Sequence, residues 1–260
     1  MADFSTITYE VSENGVARIT LNKPDTRNAQ DKRMLYEVND AFDLAGHDNE
    51  VKVVVLAAAG PHFSSGHDLR DQESFASFTP VTAWGGYDKP GQEGHQAMEE
   101  EIYLGLCWRW RNFPKPTIAE VQGKVIAGGL MLVWVCDIII ASEEATFSDP
   151  VVAFGVNGVE YFAHPWEFGT RKAKELLFTG GMMSAAEAHS AGMVNHVVSR
   201  EDLTGFTTQM ADRIAQRPSM GLRLAKQSVN QAQDAQGLWS ALNAAMSLQQ
   251  LGHANARIVH

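Results

Sequence analysis

QGKVIAGGLMLVWVCDIIIAS, residues 122–142, decides how the rest of the chain reads. Gly128 and Gly129 stand side by side at the start of its apolar run. Glycine lets a backbone approach a ligand closely and accepts turn geometry that other residues resist. A helix starting here leaves its first N–H groups without intrahelical partners, at the positive end of the helix dipole. Such an end suits a developing oxyanion better than a resting carbonyl. The same pair would also let a buried helix pack tightly, and two adjacent glycines alone do not separate these readings. The run is not a membrane span: it is shorter than the roughly 20 apolar residues a bilayer needs, and Asp137 interrupts it.

Outward from this stretch, TIAEVQ (117–122) reads as a short strand leading into the glycines, after Pro114 and Pro116 break a helix expected over 96–112. Residues 137–141 fit either a continuing helix or a new strand. Upstream, VKVVVLAA (51–58) is a β-branched run suited to a strand covered on both faces, as in a parallel sheet. HFSSGHDL (62–69) follows it, where α/β proteins place ligand loops. ITYEV and VARITLN alternate around Glu13-Asn14-Gly15 and read as a hairpin. A helix is expected over 31–49, with Met34, Leu35, Val38, Phe42 and Leu44 on or near one face. Residues 71–94, with Pro80, Gly85-Gly86, Pro90 and Gly91, read as a flap beside a site or as a plain surface loop. Downstream, 151–166 is an irregular aromatic loop and 170–179 a helix. Ser184 and Glu187 form a capping box, and 194–198 is a late strand. The last third is helical over 203–216 and 220–250. Leu238, Leu242, Ala245, Met246 and Leu248 form an apolar face that must pack on the core or on another subunit, and a short tail follows.

With 260 residues, the chain can bury a full core as one domain, or as one domain with an appended helical part. A net charge of −10 argues against a general nucleic-acid or anionic-membrane binder. Cys107 and Cys136 lack metal-ligand spacing, and Cys136 reads as a small core residue. The opening MADFSTITYEVSENG has no basic segment followed by an apolar one, so no secretory leader is expected. A reduced, cytoplasmic protein is the expectation.

Four segments, in this order, resemble the crotonase superfamily, the enoyl-CoA hydratase/isomerase family: ARITLNKPDTRNA, HFSSGHDL, PKPTIAEVQGKVIAGGLMLVWVCDIIIAS and FTGGMMSAAEAHSAGMVNHVV. The resemblance covers nearly the whole chain. It implies an α/β fold with a ββα spiral core over 1–198 and a helical C-terminal region over 199–260 that serves trimer formation. It implies a homotrimer or a dimer of trimers acting on an acyl-CoA thioester, with no metal and no cofactor beyond the CoA of the substrate, within fatty acid metabolism. The backbone N–H groups of His67 and Gly128 would form the oxyanion hole. CoA would lie along Arg27, Ser65, His67, Asp68 and Leu69, with carbonyls near Ser65 holding the adenine and Arg27 meeting a phosphate. Arg27 reads equally as a surface arginine.

One departure from the family pattern matters. The two glutamates that position and activate water in the family's hydratases fall at Met131 and Val151 here, and neither side chain can move a proton. Glu160 is the candidate replacement acid/base, against the reading of a solvent-facing loop charge. Tyr161 and His164 are weaker candidates. Glu99, Glu100 and Glu101 could turn a carboxylate into the pocket or form a solvated helix face, and Asp68 is expected to brace its loop. Phe75, Phe78, Trp84 and Tyr87, with Phe154, Tyr161, Phe162 and Trp166, would shape a bulky apolar pocket. Two functions follow: an acyl-CoA enzyme for isomerisation, hydration or hydrolysis of an unusual acyl chain, or a catalytically silent acyl-CoA binder. A purely structural oligomer explains neither oxyanion motif.

Overall fold

ITYEV and VARITL fold back on each other as β1 (Ile7–Val11) and β2 (Val16–Leu21), paired antiparallel from Ile7 opposite Leu21 to Val11 opposite Ala17. Gly15 turns between them at φ +76, where a Cβ would stand 2.4 Å from the Glu50 carbonyl. A computed structural model describes residues 4–259. β2 pairs in parallel with β3 (Val53–Ala58), β3 with β4 (Thr117–Val121), β4 with β6 (Ile138–Ser142) and β6 with β9 (His196–Val198). The resulting six-stranded sheet runs β1-β2-β3-β4-β6-β9. Residues 137–141, open from sequence, therefore supply a strand.

Successive residues of β3 join different cores. Val54 and Leu56 face the main cluster with Met34, Val38, Phe42 and Trp110. Val53, Val55 and Ala57 face a second cluster with Leu203 and Ala211 of α8 (Leu203–Ala215). This two-sided burial explains the uninterrupted β-branched run. On the main side lies α1 (Lys32–His47), capped by Asp31, whose carboxylate accepts from the Met34 N–H at 2.8 Å. Leu44, expected near its buried face, is instead 42% exposed.

The second helix begins at Gln92, earlier than the sequence suggested. It runs as α2 (Gln92–Glu99), passes through a π-turn at Glu100–Gly105 and continues as α3 (Leu106–Arg111). A short strand not foreseen from sequence, β5 (Lys124–Ile126), follows β4 and opens a small sheet with β7 (Thr146–Ser148) and β8 (Met182–Ser184). From β5 the chain enters α4 (Gly128–Trp134) through Ala127 at φ +48. After β7 come α5 (His164–Phe168) and α6 (Thr170–Thr179), and then α7 (Ala185–Ala191) with the expected Ser184–Glu187 capping box. The C-terminal helices are α8, α9 (Ser219–Ala235) and α10 (Leu238–Val259). The expected tail is therefore a continuation of α10, which buries Leu238, Leu242, Ala245 and Met246 but leaves Leu248 57% exposed. No helix among the described residues is long and apolar enough to cross a membrane.

Candidate active site

Asn28 ties the loop after β3 to the rest of the molecule. It is fully buried, and its side chain accepts from the Lys23 N–H and donates to the carbonyls of Ala59 and His62 at 2.9 and 3.0 Å. The loop is then zipped on both sides. Toward β5, Ser64 N–H donates to Lys124 O at 3.2 Å and Ile126 N–H returns to Ser64 O at 3.0 Å. Toward the segment before α1, Gln30 N–H donates to Gly66 O and Asp68 N–H to Gln30 O, both at 2.8 Å. His67 lies between those last two bonds, so its own N–H is turned away from the ladder. The start of α4 arrives next to it: a Cβ on Gly66 would lie 3.2 Å from Gly128 N, and one on Gly128 would lie 2.5 Å from His67 Nε2. Among the described residues neither the His67 nor the Gly128 N–H has a hydrogen-bond partner. The two motifs thus converge on a pair of free backbone donors.

Met131 and Val151 are the positions that the family resemblance assigns to the two hydratase glutamates. Met131 is 1% exposed and packs in the core, its sulfur accepting from the Tyr161 N–H at 3.4 Å. Glu160 is buried, at 6% exposure, and is not a solvent-facing loop charge. Its Oε2 lies 3.2 Å from His67 Nε2, and Gln249 of α10 donates to its Oε1 at 3.4 Å. The His67 ring meets Tyr103 edge-on at 3.7 Å between centroids. Burial pushes the Glu160 carboxyl well above the usual range, and the negative charge of Glu99 adds to this. Burial likewise pulls His67 down to about 4, against the opposing pull of Glu99 and Asp149. The contact therefore joins a carboxyl biased toward its protonated form to an imidazole biased toward its neutral form.

Glu160 is placed by Asp149. That buried carboxylate accepts from the Val159 N–H at 2.9 Å and from His164 Nε2 at 2.8 Å, closing the 151–164 loop on itself. His164, 1% exposed, and Tyr161, 2% exposed, serve this packing rather than the free amides. Asp149→Ala would leave two buried donors unpaired, at about 1–3 kcal/mol each. The expected result is a lower midpoint in thermal and denaturant unfolding.

The remaining expectations fare unevenly. Arg27 is exposed at φ +57, and its carbonyl accepts from the Ser65 N–H at 2.9 Å, so the two lie side by side. Asp68 does brace its loop: it accepts from the Arg70 N–H at 3.1 Å and lies 3.9 Å from Lys23 Nζ. Leu69 is 87% exposed. Glu99 and Glu101 are buried rather than on a solvated face. Glu101 pins residues 71–94 at their middle, accepting from Val81 N–H at 2.7 Å, Thr82 N–H at 3.0 Å, the Thr82 hydroxyl and Tyr36 OH. The aromatic residues do not gather at one wall. Phe75 stacks on Tyr87 and Phe78 on Tyr36, while Trp84 and Phe154 are exposed. A cavity of about 480 Å³ is lined by Trp134, Cys136, Tyr161, Trp166 and Leu238 among others, and by none of His67, Gly128 and Glu160. Both cysteines are buried, and burial raises both thiols, Cys136 to about 12.

Sequence reasoning ranked the His67 side chain below its amide and missed Tyr103 and Gln249. Their partners come from elements far apart in the chain, and only the π-turn at Tyr103, an element frequent at functional sites, marks one of them locally.

The sequence model of the enoyl-CoA hydratase/isomerase family matches residues 11–257. Mycobacterium tuberculosis EchA13, an enoyl-CoA hydratase by name, is 46% identical over 97% of this chain and 82% of its own. The 1,2-epoxyphenylacetyl-CoA isomerase of Escherichia coli is 30% identical over 85% of this chain and 80% of its own. A crystal structure of a Mycobacterium thermoresistibile protein, also named for enoyl-CoA hydratase, superposes with a TM-score of 0.90 at 47% identity, covering 98% of this chain and 99% of that one.

Proposed function

The chain belongs to the enoyl-CoA hydratase/isomerase family, and from that membership we propose that it shifts a double bond within an acyl-CoA thioester, with Glu160 and His67 moving the proton. It has the family's α/β crotonase fold with C-terminal helices. The thioester carbonyl would accept from the N–H groups of His67 and Gly128, which lowers the cost of an enolate. CoA would run past Arg27, Ser65, Asp68 and Leu69.

One observation carries the choice of reaction: the 3.2 Å approach of Glu160 Oε2 to His67 Nε2, with burial shifting the carboxyl up and the imidazole down. Groups pushed apart in this way divide acid and base roles. Because they lie 3.2 Å apart, a turn of the His67 ring that aligns Nε2 with Oε2 makes them one proton-transfer station rather than two stations flanking a water. Hydration and hydrolysis need an activated water, and with Met131 and Val151 the second station is missing. A 1,3-proton shift needs only one. The C–H bond at one carbon breaks, its electrons enter the enolate, and the proton taken up by the pair returns two carbons away. The family also includes a protein named as an isomerase at 30% identity. The exposed apolar side chains of α9 and α10, Val229, Leu248 and Leu251 among them, support assembly into trimers or dimers of trimers. The proposed location is cytoplasmic.

The test uses trans-2- and trans-3-enoyl-CoA esters of increasing bulk. Conjugated-thioester absorbance is followed in both directions, products are identified, and ester affinity is measured on the same sample. Interconversion of the isomers is expected. A hydroxyacyl-CoA product would sink the single-station account. Tight binding with no turnover on any ester would establish the silent binder instead.

A further inference from the structure

His95, Glu99 and His253 meet where α10 crosses α2. His95 and Glu99 are one helical turn apart, and His253 comes from the stretch of α10 that the sequence had suggested was a short tail. We propose that these three side chains hold a divalent transition-metal ion, although the sequence led us to expect no metal. His95 Nε2 and His253 Nε2 lie 2.9 and 3.1 Å from the same atom, Glu99 Oε1. The three ligand atoms all fall within 4.8 Å of one another. Two ligands each about 2.1 Å from a metal stand about 3.0 Å apart at an octahedral angle and about 3.4 Å apart at a tetrahedral one, so the spacing is close to that of one shared ion. Neither nitrogen makes a hydrogen bond in this arrangement, and both are buried.

Glu99 is 2% exposed. Its orientation is fixed from behind. Gln250 donates to Oε2 at 2.6 Å, Gln92 donates to Gln250, and Arg257 donates to Gln92 at 3.2 Å. Such outer partners are what aim a metal ligand. Two imidazoles and one carboxylate suit Zn²⁺, Co²⁺, Fe²⁺ or Ni²⁺ rather than Mg²⁺ or Ca²⁺, which prefer all-oxygen sites. Three protein ligands leave positions for water. The site adjoins the proton-transfer pair through neighbouring residues of α10: Gln249 bonds Glu160 and Gln250 bonds Glu99. The inference does not depend on the isomerase reading.

The test uses the full chain, stripped with a chelator and titrated with Co²⁺, following visible absorption and heat, with Zn²⁺ as competitor. One ion per chain is expected. His253→Ala should weaken binding more than Gln250→Ala, which should cost about 10–100-fold as the loss of an outer partner. X-ray absorption of the wild-type Co²⁺ complex, which needs no variant to fold, should show two imidazole ligands. Absence of imidazole ligation would overturn the proposal. So would wild-type affinity no greater than that of the folded His95→Ala/His253→Ala double variant, with His95, Glu99 and His253 then forming only a polar cluster.

Discussion

Glu160→Gln is expected to lower turnover by about 10²–10⁴-fold, the usual contribution of a positioned acid/base, and to leave CoA-ester affinity nearly unchanged. The substitution keeps the volume of a side chain that is 6% exposed and keeps an acceptor for Gln249. It removes only the proton. His67→Ala should cost about as much, and the double variant little more than either single one, because groups acting as a unit are not additive. Independent, multiplying losses would refute the pair. The pH profile follows from the same two groups. His67 is neutral above about 4, while burial and Glu99 hold Glu160 protonated well above its ordinary value of 4.5. Tyr103, Cys107, Asp149, Glu99 and His253 are the other titratable groups interacting with the pair. Activity should therefore fall as pH rises through the raised Glu160 value. Stability carries the same sign. A carboxyl raised in the folded state binds more protons folded than unfolded, so its contribution declines as pH climbs from the unfolded value toward the folded one. Glu160→Gln should flatten that part of the stability profile, measured by denaturant unfolding across pH.

The features legible in the sequence share a cause. The hairpin at Gly15, the two-sided run in β3, the Ser184–Glu187 box and the glycines opening α4 are each encoded within a few residues. The oxyanion motifs were legible as motifs because backbone donors depend on local geometry. What stayed hidden is long-range: Gln249 reaches Glu160 across 89 positions and Gln250 reaches Glu99 across 151. Nothing in the local pattern of α10 separates those glutamines from a solvated face. Glu99 and Glu101 misled for the same reason, since an acidic run at a helix reads as surface until the elements packed on it are known. For His67, a sequence motif can suggest its amide, but only the tertiary approach of Glu160 and Tyr103 gives its ring a partner.

Gly66→Ala is expected to lower turnover by about 10²–10³-fold, the cost of removing one oxyanion donor, with a modest loss of stability. Gly66 sits at φ +90, and an added Cβ would stand 2.8 Å from the Ile126 carbonyl and 3.2 Å from Gly128 N. Both contacts are backbone, so no side chain can swing away, and the two segments carrying the donors must move apart. Strain alone does not explain the expected loss, and Gly192 supplies the control. It has the same φ of +90, at the C-terminus of α7, with nothing within 4 Å of the added Cβ. Gly192→Ala should cost a similar backbone strain, about 1–3 kcal/mol, and leave turnover untouched. Gly128→Ala falls between the two, because its Cβ meets the His67 ring, 2.5 Å from Nε2, and a ring can rotate. That rotation would separate His67 from Glu160 while keeping the amide in place. If the amides set the rate, Gly66→Ala should be the worse lesion; if the proton station sets it, Gly128→Ala should match Glu160→Gln. Equal turnover in Gly66→Ala and Gly192→Ala would mean that the convergence of the two loops has no part in the chemistry.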